Sequence, residues 1–282
     1  MGKIKLFLEL IKFEHTVFAL PFAYLGMLLA SYEWPSFSVF FWVTCAMVSA
    51  RTAGMTLNRI IDLNIDEKNP RTKKRALVTG DFPLWQAWLA VTVSLAVFFL
   101  SAFMLNPLCF QLSPAALILL STYHYVKRFS FLCHFALGSV LALAPMGGWL
   151  AVTGVFSWTP LFLSLAVLFW VAGFDIIYSL QDFDFDRTYG LHSIPVKFGQ
   201  AAALKISGGC HMAAVLLLVL FGLVAGLGVI YWVGVGVTAV LLKVEHSLAS
   251  GGDAGRLDTA FFAVNGWIGI LLFVFTFLET FR

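Results

Sequence analysis

The segment NRIIDLNID, Asn58 to Asp66, sets an asparagine and two aspartates at every fourth residue. Positions four apart on a helix share a face, drifting by about 40° per step. Asn58, Asp62 and Asp66 therefore form one polar stripe, which Met55 and Arg51 extend into the preceding apolar run. A second stretch, FDIIYSLQDFDFDRTYGLHSIPVKFG (174–199), repeats the spacing with Asp182 and Asp186. Tyr178 stands one turn earlier. Asp175, seven before Asp182, keeps the same face within about 20°, whereas Asp184 points elsewhere if the helix persists. Four carboxylates facing one another in a low dielectric repel by on the order of several kcal/mol. Divalent cations relieve that repulsion. Mg²⁺ prefers oxygen ligands, keeps waters, and usually takes one or two carboxylates plus substrate phosphates. Two such pairs on facing helices suit Mg²⁺ held against a diphosphate, with Asn58, Asp62, Asp66, Asp182 and Asp186 as candidate ligands. Arg51, Lys73, Lys74, Arg75, Lys127 and Arg128 are placed to take the remaining phosphate charge.

The elements that carry these residues follow from hydropathy. The chain has 282 residues, 60% hydrophobic and 12% charged, with a mean hydropathy of +0.90. Soluble domains carry about 25% charge, so an integral membrane protein is expected, with no nucleic-acid partner. Apolar runs near 16–32, 38–58, 83–105, 108–124, 133–153, 158–179, 201–221, 225–245 and 258–279 predict nine transmembrane helices. The runs are continuous rather than alternating, which argues against a β-barrel. The spans use up the length, so 1–282 reads as a single transmembrane domain. The first thirty residues lack the short apolar core of a secretory signal and read as an amphipathic lead-in to the first span. With the N-terminus in the cytoplasm, every Lys and Arg outside the spans falls on the inner side except Arg282. That asymmetry sets the orientation and puts both aspartate motifs on the inner face. Arg51 lies within an apolar run, where a charge costs about 2.5–3.5 kcal/mol on insertion scales. It needs an anionic ligand or an aspartate as partner.

Together these motifs resemble the UbiA-type intramembrane prenyltransferases. The family's NDxxDxxxD is matched by Asn58, Asp62 and Asp66, with Arg59 where the family usually has Asp. Arg51 and Gly54 in RTAGMTLN match the stretch before it. YxxxDxxxD is matched by Tyr178, Asp182 and Asp186, and GxxSxPxxFG by Gly190 to Gly199. The nine-span layout matches too, so the resemblance covers the whole chain. It implies a bundle around a central cavity open to the cytoplasmic side and to lipid. Within it, a Mg²⁺-dependent enzyme transfers a prenyl chain from a polyprenyl diphosphate to an aromatic acceptor. Such chemistry ionises the allylic C–O bond and shields the cation in a dry, aromatic pocket; Tyr178, with Tyr123 and Tyr125, is a candidate for that lining. Arg128, after the Tyr-rich stretch STYHYVKRFS, resembles the residue thought to contact an acceptor carboxylate in the aromatic-acid branch. A planar guanidinium suits that task. The opening KFEHTVFALPFA is similar to bacterial 4-hydroxybenzoate polyprenyltransferases. The implied acceptor is 4-hydroxybenzoate, prenylated ortho to its hydroxyl in ubiquinone-type synthesis at the bacterial inner membrane. A dihydroxynaphthoate of menaquinone synthesis is the alternative.

Other features are less directive. The four cysteines lie far apart in apolar runs, and the six histidines form no HxxxH or HxxEH cluster, so neither zinc nor haem is expected. His192 is a candidate phosphate contact, and Glu14 and His15 are placed at the pocket mouth or as interfacial anchors. A cation or proton-coupled transporter would also use intramembrane carboxylates. It predicts charges near the midplane, whereas these motifs cluster at one face.

Overall fold

The computed structural model describes residues 3–12, 16–31, 33–250 and 263–282. The expectations for Glu14, His15, Arg256 and the start of the ninth span lie outside them. The described residues form helices and no strands: α1 (Lys3–Leu10), α2 (Thr16–Ser31), α3 (Phe37–Ile61), α4 (Leu63–Asp66), α5 (Ala76–Thr79), α6 (Leu84–Leu105), α7 (Pro107–Val126), α8 (Cys133–Thr153), α9 (Trp158–Ser179), α10 (Phe183–Tyr189), α11 (Ile194–Phe198), α12 (Gln200–Val224), α13 (Val229–Ala249) and α14 (Asn265–Thr280). Six of them are long and apolar enough to cross a membrane: α3, α6, α8, the run from α9 into α10, α12 and α13. Residues 20–31 of α2 and the whole of α14 are shorter apolar helices, and α7 occupies the place of the expected fourth span. The chain is an integral membrane protein.

Local chemistry sets the boundaries. Asn106 accepts from the Cys109 N–H at 2.9 Å to open α7, with Pro107 in the first turn. Ser157 opens α9 in the same way. The blurred joint GLVAGLG resolves into a break after Val224, where Gly226 takes φ 66°. Both flanking helices run farther toward the C-terminus than the hydropathy runs predicted. Lipid-facing positions such as Trp85, Phe103, Leu223 and Val240 are exposed, as a helix apolar all round allows in a bilayer.

At the centre stands α9, packed against α8 and α12. Val167, Trp170, Val171 and Phe174 meet Phe22, Leu218 and Tyr231 in the main core. The α2–α8 crossing is close because it must be: a Cβ on Gly26 would stand 1.9 Å from the Pro145 carbonyl oxygen, and one on Gly148 2.0 Å from that of Ala23. A buried polar relay joins α9, α13 and α14. Trp170 donates to Asn265 at 2.8 Å, and Asn265 donates to the fully buried Glu245 at 2.8 Å.

The first motif helix ends just before its first aspartate, and the second ends three residues before its own. α3 stops at Ile61, Asp62 turns the chain, and α4 carries Asp66. α9 stops at Ser179, a 3₁₀ turn holds Asp182, and α10 carries Asp186. The unbroken helical face expected from the spacing is thus interrupted at Asp62 and at Asp182. Register survives the first break, because Asp62 N still donates to Asn58 O (3.0 Å) and Asp66 N to Asp62 O (2.8 Å). Gly190, at φ 75°, then closes α10, and the Leu191 N–H returns to the Asp186 carbonyl at 2.9 Å, fixing that residue's turn.

Candidate functional site

A cavity of about 580 Å³ opens among the C-terminal ends of α3, α7 and α9, the start of α8, and the 67–75 loop. Asn58, Asp62, Asp66, Asp182 and Asp186 all line it, as do Arg51, Arg75, Tyr123, Lys127, Arg128, Asp175 and Tyr178. Lys73 does not; it is exposed, and its neighbour Lys74 lines the wall instead. The carboxyl-terminal ends of α3 and α9 both lie at the cavity, so two negative helix-dipole ends add to its attraction for cations.

Each motif aspartate faces a base from another segment. Arg71 grips Asp182 with two nitrogens, Nη2 to Oδ2 at 2.5 Å and Nε to Oδ1 at 2.9 Å, while its Nη1 donates to Tyr178 Oη at 2.9 Å. Arg75 pairs with Asp66 at 2.5 Å, Lys127 with Asp186 at 2.9 Å, and Arg128 with Asp62 at 3.2 Å. The repulsion expected among four carboxylates is here offset by four cations. An Asn-Pro turn delivers the first of them. Asn69 accepts from the Arg71 N–H at 2.9 Å and donates to Asp182 at 2.9 Å, so the loop presents Arg71 directly to the second motif.

Compensation is uneven. Asp186 is fully buried, and neither of its oxygens has an aligned hydrogen bond, although Lys127 stands at ion-pair distance. Burial lowers Lys127's proton affinity, but the charges of Asp186 and Asp182 hold it above its ordinary value. Burial pushes the Asp62 carboxyl above its ordinary range, against the pull of Arg128. Among the described residues, no three Asp, Glu, His or Cys side chains converge to hold a metal by themselves. A cation here would draw ligands from the pairs and from what it binds.

The walls change deeper in. Arg51 is half-buried in α3, and its Nε, shielded from solvent, has no hydrogen-bond partner among the described residues. Arg51, Met55, Tyr123 and Leu141 belong also to a second, largely apolar cavity of about 440 Å³, lined farther on by Val43, Met47, Phe98 and Leu119. The polar chamber thus opens into an apolar one past these four side chains. Asp175 accepts a hydrogen bond at 2.7 Å from His134, which the sequence had left unassigned.

Three further participants, Asn69, Arg59 and His124, escaped the motif reading, and Arg71 was read only as one of the bases after the first motif, not as the partner of Asp182. Arg59 is buried, donating to Asn58 Oδ1 at 3.1 Å and to the Leu10 carbonyl at 3.4 Å, which ties α1 over the site. His124 lies 3.2 Å from Asn58 Nδ2. The departure from the family pattern at position 59 and the NPR tripeptide were the available signals; nothing in the spacing marked His124. Two expected participants stand apart. Tyr125 is exposed beneath the Arg128 guanidinium, and His192, also exposed, contributes its backbone N–H to the Lys127 carbonyl.

Comparisons with known proteins agree with this geometry. The profile of the UbiA prenyltransferase family matches residues 19–277. The 4-hydroxybenzoate octaprenyltransferase of Methylobacillus flagellatus is 32% identical over 250 residues, 88% of this chain and 83% of that protein. Its counterpart in Xanthomonas campestris pv. campestris is 31% identical over 246 residues, 87% and 81%. Among solved structures, the apo structure of a UbiA homolog from Aeropyrum pernix K1 aligns with a TM-score of 0.86 at 39% identity, covering 94% of this chain and 98% of that one. The same fold recurs in a UbiA homolog from Archaeoglobus fulgidus bound to GPP and Mg²⁺, at a TM-score of 0.71 and 21% identity, over 98% and 100%. The chain belongs to the UbiA prenyltransferase family and is a prenyltransferase.

Proposed function

We propose that this enzyme transfers a polyprenyl group from a polyprenyl diphosphate to an aromatic acid, with 4-hydroxybenzoate the best-supported acceptor. The observation that carries the reading is the joint between the two cavities. A chamber ringed by paired aspartates and bases suits a diphosphate, and the apolar space behind it suits an isoprenoid tail. Kinship with 4-hydroxybenzoate octaprenyltransferases supports the acceptor and a ubiquinone-type route. The chain acts as one domain of nine spans in a bacterial inner membrane, with its N-terminus and site facing the cytoplasm, as the distribution of Lys and Arg supports.

The residues present fit Mg²⁺, because Asp186 offers two buried oxygens that no hydrogen bond satisfies. Asp62, Asp66, Asp182 and Asp186, with Asn58, would hold it. When bound, Mg²⁺ neutralises the diphosphate and so eases ionisation of the allylic C–O bond. Arg71, Arg75 and Lys127 now neutralise aspartates and are close enough to turn to phosphate oxygens when a donor arrives. Tyr178 and Tyr123 present π faces to the allylic cation. For the acceptor carboxylate, geometry favours Arg51 over Arg128. Arg51 is half-buried with an Nε unpaired among the described residues, whereas Arg128 is exposed and already bonded to Asp62 and to the Ile61 carbonyl at 2.7 Å.

Purified protein incubated with Mg²⁺, geranyl diphosphate and a panel of hydroxybenzoates and dihydroxynaphthoates tests the proposal. The expected product is a C-geranylated hydroxybenzoate identified by mass. No prenylated acid of any kind, or undiminished product in EDTA, would overturn it.

A further inference from the structure

Five aspartates line the main cavity, and four are matched to Lys or Arg. The fifth, Asp175, belongs to neither DxxxD pair. Among the described residues its bonded side chain is His134, with His134 Nδ1 2.7 Å from Asp175 Oδ2. The other imidazole nitrogen settles the direction of that bond. His134 Nε2 accepts from the Ile194 N–H at 3.3 Å, so the proton resides on Nδ1 and is donated to Asp175. His134 is 2% exposed and anchored by backbone at the start of α11. It therefore orients the Asp175 carboxylate by the hydrogen bond from Nδ1, and among the described residues no Lys or Arg pairs with Asp175.

Depth gives the arrangement its meaning. Asp175 lies two turns before Asp182, about 10 Å deeper along the helix, beside Phe174 and Leu141, where the wall becomes apolar. Arg51 lies the same two turns before Asn58 on α3. A diphosphate held at the aspartate pairs puts its allylic carbon at the level between, next to any ring seated there. A carboxylate at that depth, oriented by an imidazole and matched to no Lys or Arg among the described residues, is a hydrogen-bond acceptor and base for a weakly acidic O–H.

We propose that the Asp175 carboxylate, oriented by His134, binds the phenolic hydroxyl of the acceptor and takes its proton during transfer. This rests on the phenolic-acid reading of the site. The donor C–O bond breaks with its electron pair going to the diphosphate. A ring π pair forms the new C–C bond at the ortho carbon, the hydroxyl O–H pair becomes C=O, and its proton passes to Asp175. The dienone regains aromaticity when its ring C–H proton leaves to the released diphosphate and Asp175 returns its own to the oxygen. Asp175 is thus a catalytic residue and His134 a positioning residue.

The test compares Asp175→Asn, near isosteric with the native residue, with wild type, using 4-hydroxybenzoate, geranyl diphosphate and Mg²⁺ at pH 7 and pH 9.5. At pH 7 the variant should lose about 10²-fold or more in kcat, with KM for geranyl diphosphate within about threefold. Free phenols ionise near pH 10, so phenolate needs no base, and the deficit should shrink at least about tenfold at the higher pH. His134→Gln should lose less at pH 7 and recover in parallel. Asp175→Asn within about threefold of wild type at pH 7, or a deficit equal at both pH values, overturns the assignment. The second result would mark a merely structural residue. A wild type inactive on every phenolic acid takes the functional reading down with it; an active wild type beside an unimpaired variant takes down this assignment alone.

Discussion

The two aspartate motifs share a spacing and a helix break but not an environment. The first begins at an open edge, where the Asp62 side chain is 24% exposed and its partner Arg128 39%, and only Asp66 is buried. The second is closed in. Asp182 is held by both Arg71 and Asn69, and Asp186 is 0% exposed with both oxygens unbonded. The contrast follows from the helices that carry them. α9 is surrounded by α8, α12 and the core, whereas α3 packs mainly on α6. Desolvation makes the second motif the stronger cation trap, because Asp186, fully buried and faced among the described residues by Lys127 alone at 2.9 Å, gains most from a further cation's arrival. The first motif, wetter and partly neutralised from the mouth, has less to gain.

Removing the metal should have the largest effect. EDTA should abolish transfer, with Mg²⁺ restoring it. Asp186→Asn should follow at about 10³-fold in kcat/KM and Asp62→Asn at about 10²-fold, within the range for losing one preorganised electrostatic group. Equal losses at the two positions would erase the asymmetry. The same burial predicts the effect on stability. Without metal, Asp186→Asn should lower the melting midpoint by about 2–4 °C, because Lys127 loses its ion-pair partner at 2.9 Å. Asp182→Asn should lower it further, since the bidentate Arg71 contact is lost. Thermal unfolding of metal-free protein in detergent checks both shifts.

Much of this was legible in the sequence, for physical reasons that differ by region. The i, i+4 aspartates and Arg51 stood out because charge is costly in an apolar run, and their register survived even where the helix did not. The breaks at Asp62 and Asp182 were invisible. No Gly or Pro sits at either site, and only the tertiary arrangement makes the chain turn there. The identity of the counter-charges was hidden too. Arg71 reaches Asp182 across 111 positions by way of an Asn-Pro turn, and no local periodicity reports such a contact. His134 reads in sequence as an isolated histidine, and only packing of α8 against α9 brings it to Asp175. The GLVAGLG joint was ambiguous because glycine permits continuation or a turn with equal ease, and Gly226 chose the left-handed turn.

Arginine provides the next discrimination. Arg51→Ala should raise the acceptor KM about 10- to 100-fold, the cost of losing one to two strong charge-assisted hydrogen bonds, with a far smaller change in donor KM. If the donor term moves instead, Arg51 serves the diphosphate and the acceptor sits nearer the mouth.

The finest test lies at the open edge. Arg128 holds Asp62 from a position 39% exposed and leans on the Tyr125 ring at 5.0 Å. Exposed pairs contribute about 0–1 kcal/mol because solvent screens them, so Arg128→Ala should shift the melting midpoint by less than about 2 °C. Its effect on acceptor KM should stay within about threefold. The sequence alone pointed to the opposite ranking, with Arg128 on the acceptor carboxylate, so the pair of alanine variants decides between mouth and interior. A larger acceptor penalty at Arg128 than at Arg51 would mean that the aromatic acid binds at the wetter motif. In that case the buried second motif would anchor diphosphate alone, and Arg51, charged and unsatisfied within an apolar wall, would need a different anion.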